Sequence, residues 1–213
     1  MPSRSVSKQT LQRLPAFLHY LKSRPEGPSR YISATAIAEA LGLNDVVVRK
    51  DLASVSSSGR PKVGYVREEL IGELERFLGY DNTQDAILVG AGKLGKALLS
   101  YDVFPQYGLN ILAGFDTDPR VAGTEAGGKK ILPMEKLESL CRRMGVRIGI
   151  ITVPGEQAQG VCDRLIASGV LAVWNFANVH LSVPQGVLVQ NENMAVSLAI
   201  LSNHLKERSG TTK

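Results

Sequence analysis

Ile87-Leu88-Val89-Gly90-Ala91-Gly92-Lys93-Leu94-Gly95 decides how the rest of the chain is read. A short apolar run enters G-x-G-x-x-G and leaves into Lys96-Ala97-Leu98-Leu99, in the order strand, glycine turn, helix. In that context Gly90 allows the tight turn, Gly92 lets the backbone close on a pyrophosphate, and Gly95 lets the helix pack near its strand. The amides that open the helix, with its partial positive charge, suit phosphate. Gly90, Ala91, Gly92, Lys93, Leu94 and Gly95 are therefore the first candidate cofactor-binding residues. About twenty residues farther on, Ile111-Leu112-Ala113-Gly114-Phe115 ends at Asp116. A carboxylate there accepts hydrogen bonds from an adenosine ribose diol and repels a 2′-phosphate, which predicts NAD(H) over NADP(H). Arg120, close by, points the other way.

From Asp85 onward the pattern alternates. Strands are expected at 86–89, 111–115, 131–132, 146–152, 170–176 and 187–189, with helices at 94–101, 134–144, 156–168 and 193–207. That alternation predicts a doubly wound parallel sheet with a ligand crevice at the strand C-termini. Thr152-Val153-Pro154 and Asn175-Phe176-Ala177 both end strands and would line the crevice, so Thr152, Val153, Pro154, Phe176 and Ala177 join the candidate cofactor-binding residues. The last helix carries Met194, Val196, Leu198, Ile200, Leu201 and Leu205 on more than one face. A terminal helix of that kind is buried on several sides, most simply in a partner subunit.

The first third reads differently. Residues 1–66 hold ten Lys or Arg against four Asp or Glu, and residues 67–213 hold fifteen against sixteen. The whole net charge of +5 therefore comes from the first module, which suggests nucleic acid as its partner. A helix over 7–23 is interrupted or kinked at Pro15. Ser33 caps a helix from Ala34 to Leu41, Gly42 turns the chain, and Asn44 caps a second helix through Leu52. This is a helix-turn-helix pattern, with Val48 inward and Asn44, Asp45, Val46, Arg49 and Lys50 outward. Arg60-Pro61-Lys62-Val63-Gly64-Tyr65 follows as a basic, hairpin-like wing. The candidate DNA contacts are Asn44, Val46, Arg49, Lys50, Arg60, Lys62 and Gly64. Helix 67–79 precedes a short polar boundary at 80–84. Domains are expected at 1–80 (winged helix), 81–192 (dinucleotide binding) and 193–213 (dimer-swap helix and tail).

Other classes find less support. No run of about 18 apolar residues suggests a membrane span, and the N-terminus lacks a signal-peptide pattern. Cys141 and Cys162 form no C-x-x-C, so a disulfide framework or metal site is not expected, and a cytoplasmic chain is. His19, His180 and His204 are the only histidines, and only His180 falls near the crevice, with no evident acid to orient it. That argues against an NAD-dependent dehydrogenase with an accessory basic domain. A winged-helix regulator sensing another nucleotide or an acyl-CoA, and an RNA-binding or nucleoid protein, remain as alternatives.

Taken together, these residues resemble the bacterial redox-sensing transcriptional repressor Rex family over nearly the whole chain. The likeness is carried by Thr10-Leu-Gln-Arg13-Leu14-Pro15, Val48-Arg49-Lys50-Asp51-Leu52, Lys62-Val63-Gly64-Tyr65, Gly90 to Gly95, Phe115-Asp116, Thr152-Val153-Pro154 and Asn175-Phe176-Ala177. The resemblance implies a winged helix, a Rossmann domain and a domain-swapped C-terminal helix. It also implies a homodimer on palindromic double-stranded operator DNA, released by NADH and permitted to bind by NAD+. By resemblance Met194 reaches the partner's nicotinamide pocket, and Arg13, Tyr101 and Asn193 form a network that differs between ligand states. Three departures stand out. Val47 replaces a common Gln in the recognition helix, Val55-Ser56 replaces a Phe-Gly pair, and Asn193 stands where Asp is common.

Overall fold

The computed structural model describes residues 6–25 and 30–210, with side chains through residue 206. The chain divides between Asn82 and Thr83 into two compact units.

The first unit begins with α1 (Lys8–Ser23), whose first turn is capped by Ser7 accepting from the Thr10 amide. Pro15 neither interrupts nor starts this helix, contrary to expectation: α1 runs through it. A proline inside a helix costs about 3 kcal/mol. Leu14, Phe17, Leu18 and Leu21 lie beside it on the face buried in the unit's core, and their packing holds the helix together across the break. After β1 (Tyr31–Ile32) come α2 (Ala34–Leu41) and α3 (Asp45–Val55), separated by Gly42 in the left-handed region. Ser33 accepts from the Ala36 amide, and Asn44 from the amides of Val46 and Val47, so both expected caps are formed. β2 (Tyr65–Val66) pairs antiparallel with β1, and α4 (Arg67–Leu78) closes the unit. Arg67 ties α4 to the end of α1 by donating to the carbonyls of Leu21 and Arg24. Ile37, Val48, Leu52, Leu70 and Leu74 complete the core.

The second unit is built on a seven-stranded sheet. Its elements in chain order are β3 (Gln84–Val89), α5 (Lys93–Leu99), β4 (Leu109–Asp116), β5 (Glu125–Ala126), β6 (Lys129–Pro133), α6 (Leu137–Met144), β7 (Ile148–Ile151), α7 (Gly155–Ala167), β8 (Ala172–Asn175), β9 (Leu188–Asn191) and α8 (Met194–Gly210). Spatial order is β5-β6-β4-β3-β7-β8-β9. Every pairing is parallel except β5 with β6, a hairpin that the alternation gave no sign of. Progression reverses between β3 and β7, which makes that edge the crevice position of a doubly wound sheet.

β3 shows why the sheet is covered on both faces. Ile87 and Val89 enter the core shared with α6 and α7, whereas Ala86 and Leu88 enter the core on the α5 side. Successive strand residues point to opposite faces, so a strand with no polar alternation requires two cores. Expected and observed ends differ by up to three residues: α6 begins at Leu137, three later than expected, and α5 stops at Leu99, which leaves Tyr101 beyond the helix. A short 3-10 turn, Phe104–Tyr107, follows it, and a second, Met134–Lys136, precedes α6.

Candidate functional site

In the first unit, α3 presents Asn44, Val46, Val47, Arg49 and Lys50 to solvent and buries Val48, Asp51 and Leu52. Asp45 is half-buried and pairs with Arg49 one turn along, at 2.9 Å. The expected wing is a tight turn. The Arg60 amide donates to Gly64, and the Gly64 amide donates back to Arg60, at 2.8 and 2.9 Å. Lys62 at its tip has φ of 65°, the only non-glycine residue with positive φ among the described residues. Gly64, at φ 90°, packs so close to β1 that a Cβ would overlap the Ile32 carbonyl. That close approach is why a glycine stands there. Arg49, Arg60 and Lys62 thus gather around one open concavity of about 490 Å³ between α3, the start of α2 and the wing. Lys50 and Val47 face a different groove, beside the first turn of α1.

Asp51 is the residue here that the sequence reading missed. It follows the exposed pair Arg49 and Lys50, yet it is 4% exposed. Its carboxylate accepts from Thr10 Oγ1 at 2.9 Å and from Arg13 Nε and Nη2 at 2.6 and 3.0 Å. The spacing carried the signal: residue 51 is three past Val48 and adjacent to Leu52, on the buried stripe. The bond to Asp51 pushes the Arg13 guanidinium pKa further up.

In the second unit, the glycine loop sits where β3 meets α5. A Cβ on Gly95 would overlap the Gly90 carbonyl oxygen, so helix and strand end are in direct backbone contact. Gly90 has φ of 101° and lies against Thr152, where a Cβ would come within 2.8 Å of its carbonyl. Nothing lies within 4 Å of a Cβ built on Gly92, so the loop's outer edge is open. α5 has only seven residues, so its dipole is small, and the amides of its first turn have no partner inside the helix. Ala91 is buried, and its amide donates to Asp116 Oδ2 at 2.8 Å. Asp116 Oδ1 accepts from the Asp118 amide. The carboxylate is therefore fixed at the mouth of the loop. Arg120 is turned to Asp118, forked at 2.8 to 3.2 Å, and holds that carboxyl below the usual carboxylate range.

Two pockets flank this loop. One of about 170 Å³ joins Gly90, Gly92, Asp116, Thr152, Val153 and Pro154, together with Thr117, Met134 and Gln157, which the sequence reading did not single out. The second, about 490 Å³, brings Leu94, Tyr101, Phe176, Asn193 and Met194 to a chain of aromatic rings. Tyr101, Phe104, Trp174 and Phe176 stand in succession with centroids 5.0, 5.7 and 5.0 Å apart. Lys93 is exposed beside the loop and lines neither pocket. Ala177, expected in the crevice, is buried in the core shared with α6 and α7 and lines neither pocket, its amide held by Asn175 Oδ1. A residue two places past the strand has already turned inward. His180 is exposed. Cys141 and Cys162 are both buried, and burial pushes the Cys141 thiol up to about 11.

Comparison with known proteins puts both halves in one family. A family model described as "CoA binding domain" matches residues 81–179, and one described as "Putative DNA-binding protein N-terminus" matches residues 5–53. A redox-sensing transcriptional repressor Rex from Porphyromonas gingivalis is 40% identical over 201 residues, covering 94% of this chain and 92% of that one. The chain belongs to the Rex family.

Among solved structures, RSP in complex with NAD+ and operator DNA superposes with a TM-score of 0.89 at 33% identity, covering 96% of this chain and 94% of that one. RSP in complex with NADH superposes at 0.84 with the same identity, covering 96% of each chain. RSP is itself described as a Rex-family repressor. Rex membership makes this a redox-sensing transcriptional repressor and not a dehydrogenase, and makes its two units a winged helix and a Rossmann domain. Two of the three residues expected in the Rex switch network, Tyr101 and Asn193, line the aromatic pocket. The third, Arg13, is engaged with Asp51 in the first unit.

Proposed function

We propose that this chain binds palindromic operator DNA as a homodimer and is released when NADH replaces NAD+. The observation that carries the reading is Asp116 fixed 2.8 Å from the Ala91 amide at the mouth of an open glycine loop, in a chain that also carries a capped recognition helix with Arg49 and Lys50 exposed. The residues suit a dinucleotide. Asp116 would accept from the adenosine ribose, Gly92, Lys93 and Leu94 would offer amides to pyrophosphate, and the Thr152–Pro154 turn would close the adenosine side. The group's contribution is a nicotinamide ring that is cationic when oxidised and neutral when reduced. Phe176 and Met194 would lie at that ring.

For DNA, Asn44, Val46, Arg49 and Lys50 would enter or flank the major groove, and Arg60, Lys62 and Gly64 would follow the backbone beside it. The domains take the limits 1–80, 81–192 and 193–213. The last of these dimerises by exchange of α8, whose Leu198, Ile200 and Leu201 are more than 60% exposed in the single chain. No described helix is long and apolar enough to cross a membrane, and no described cluster of three His, Cys, Asp or Glu could hold a metal. A repressor of this kind works in the cytoplasm, where its operator lies.

The test is selection of a duplex from a random library by the full-length protein, followed by fluorescence anisotropy at fixed salt. NADH should release the duplex at concentrations where NAD+ does little. Operator DNA must then weaken NADH binding by the same factor. Release by coenzyme A but not NADH would favour the reading suggested by the residues 81–179 match. Equal NADH affinity with and without operator would refute the coupling.

A further inference from the structure

We propose that Glu192 sets this chain's preference between oxidised and reduced nicotinamide by placing a carboxylate on the wall of the aromatic pocket. This rests on the proposed NAD(H) site. Among the residues lining that pocket, Glu192 is the only one with a charged side chain. Its Oε1 accepts from the Trp174 indole Nε1–H at 2.9 Å, so the carboxylate is held in place. Its amide donates to the Asn175 carbonyl at 2.8 Å, continuing the register of β9 against β8. Glu192 is thus anchored by the sheet, upstream of α8, and its position does not depend on where α8 packs.

The sheet places this pocket at the correct end of a dinucleotide. Asp116 closes β4 and Phe176 follows β8, with the glycine loop after β3 between them in the order β4-β3-β7-β8. A dinucleotide lies across such a switch point, adenosine on one side and its second half on the other. Leu94, on the first turn after the loop, lines the aromatic pocket and joins the two.

The physical consequence is electrostatic. The oxidised ring is a cation, the reduced ring is neutral, and aromatic faces already favour a cation. A carboxylate fixed among those rings adds attraction for the oxidised form alone, less screened than it would be in open water. Asn193, next in the chain, has no charge to contribute. Glu192 therefore restrains the preference for NADH and raises the NADH/NAD+ ratio at which the repressor is released.

The test uses Glu192→Gln in the full-length protein, which keeps an acceptor for the Trp174 indole and removes the charge. Trp174 is the only tryptophan in the chain, and reduced nicotinamide absorbs where indole emits. NADH entering the aromatic pocket should therefore quench Trp174, and NAD+ is then measured by displacing NADH. The expected result is an NAD+ affinity about tenfold weaker, with NADH affinity and quenching retained. Glu192→Asp keeps the charge and should stay closer to wild type, which guards against a folding effect of the amide. An unchanged affinity ratio with quenching intact overturns the role of Glu192 and leaves the function standing. Equal weakening of both nucleotides also overturns it, since that marks a merely structural side chain. No NADH binding by the wild-type protein overturns the proposed function itself.

Discussion

Asp51→Asn should loosen the first unit and leave the second untouched. The wild-type carboxylate takes three hydrogen bonds: one from Thr10 and two from Arg13. The amide can still accept from Thr10, but it presents one oxygen and an NH2 group to the Arg13 fork. Each hydrogen bond to a charged group is worth about 1.5–3 kcal/mol. Arg13 regains some hydration, because its side chain is 28% exposed against 5% for Asp51. The net loss should be about 2–3 kcal/mol, below the cost of stranding a fully buried charge. Amide hydrogen exchange read by mass spectrometry separates the two units. Peptides from α1 and α3 should exchange roughly 30- to 150-fold faster, while peptides from β3 and β4 hold their rates. Trp174 fluorescence, which reports the second unit alone, should be unchanged. Acceleration below about threefold in α1 and α3 would refute the reasoning, as would equal acceleration in both units.

Asp116→Ala should weaken NADH by about 10- to 100-fold in equilibrium titration and leave operator affinity in place. Gly64→Ala should cost about 2 kcal/mol or more, since it adds both left-handed strain and overlap with the Ile32 carbonyl, and anisotropy should show operator binding falling with NADH binding intact. The Cys141 thiol, raised to about 11 by burial, keeps its proton in the folded state after the unfolded thiol has lost it near pH ~8.5. Its contribution is complete below that lower value and is lost as pH climbs through about 11. The pH dependence of the unfolding free energy from urea titration should therefore be flatter in Cys141→Ala above pH ~8.5, by about 3 kcal/mol by the time the pH reaches the folded value. Val47→Gln should change the consensus recovered by binding-site selection and leave nucleotide affinities alone, because Val47 is exposed on α3.

The parts of the fold with a period or a fixed backbone requirement were legible. Ser33, Gly42 and Asn44 announced their turn because capping needs those residue types at those places, and the structure forms all three. Gly90, Gly92 and Gly95 were readable for the same reason. Pro15 misled because local propensity was outweighed by Leu14, Phe17 and Leu21 packing in the core. The β5–β6 hairpin was missed because Glu125 and Ala126 form too short a strand to show any alternation. Partners distant in sequence were the hardest. Nothing local says that Asp51 meets Arg13, 38 residues away, or that Glu192 meets Trp174, 18 residues away. Those pairings exist only once the helices and strands are laid side by side.

The division of labour along α3 bears on how such a regulator changes over time. Val48, Asp51 and Leu52 are committed to the interior, and exchanging any of them puts the whole unit at risk. Val46 and Val47, at 63% and 38% exposed, carry no such obligation. Substitutions there can redirect the protein to a different set of promoters while its core stays intact. Sensor and address can therefore drift on separate clocks, and two descendants of one ancestor could read the same metabolic signal at different genes.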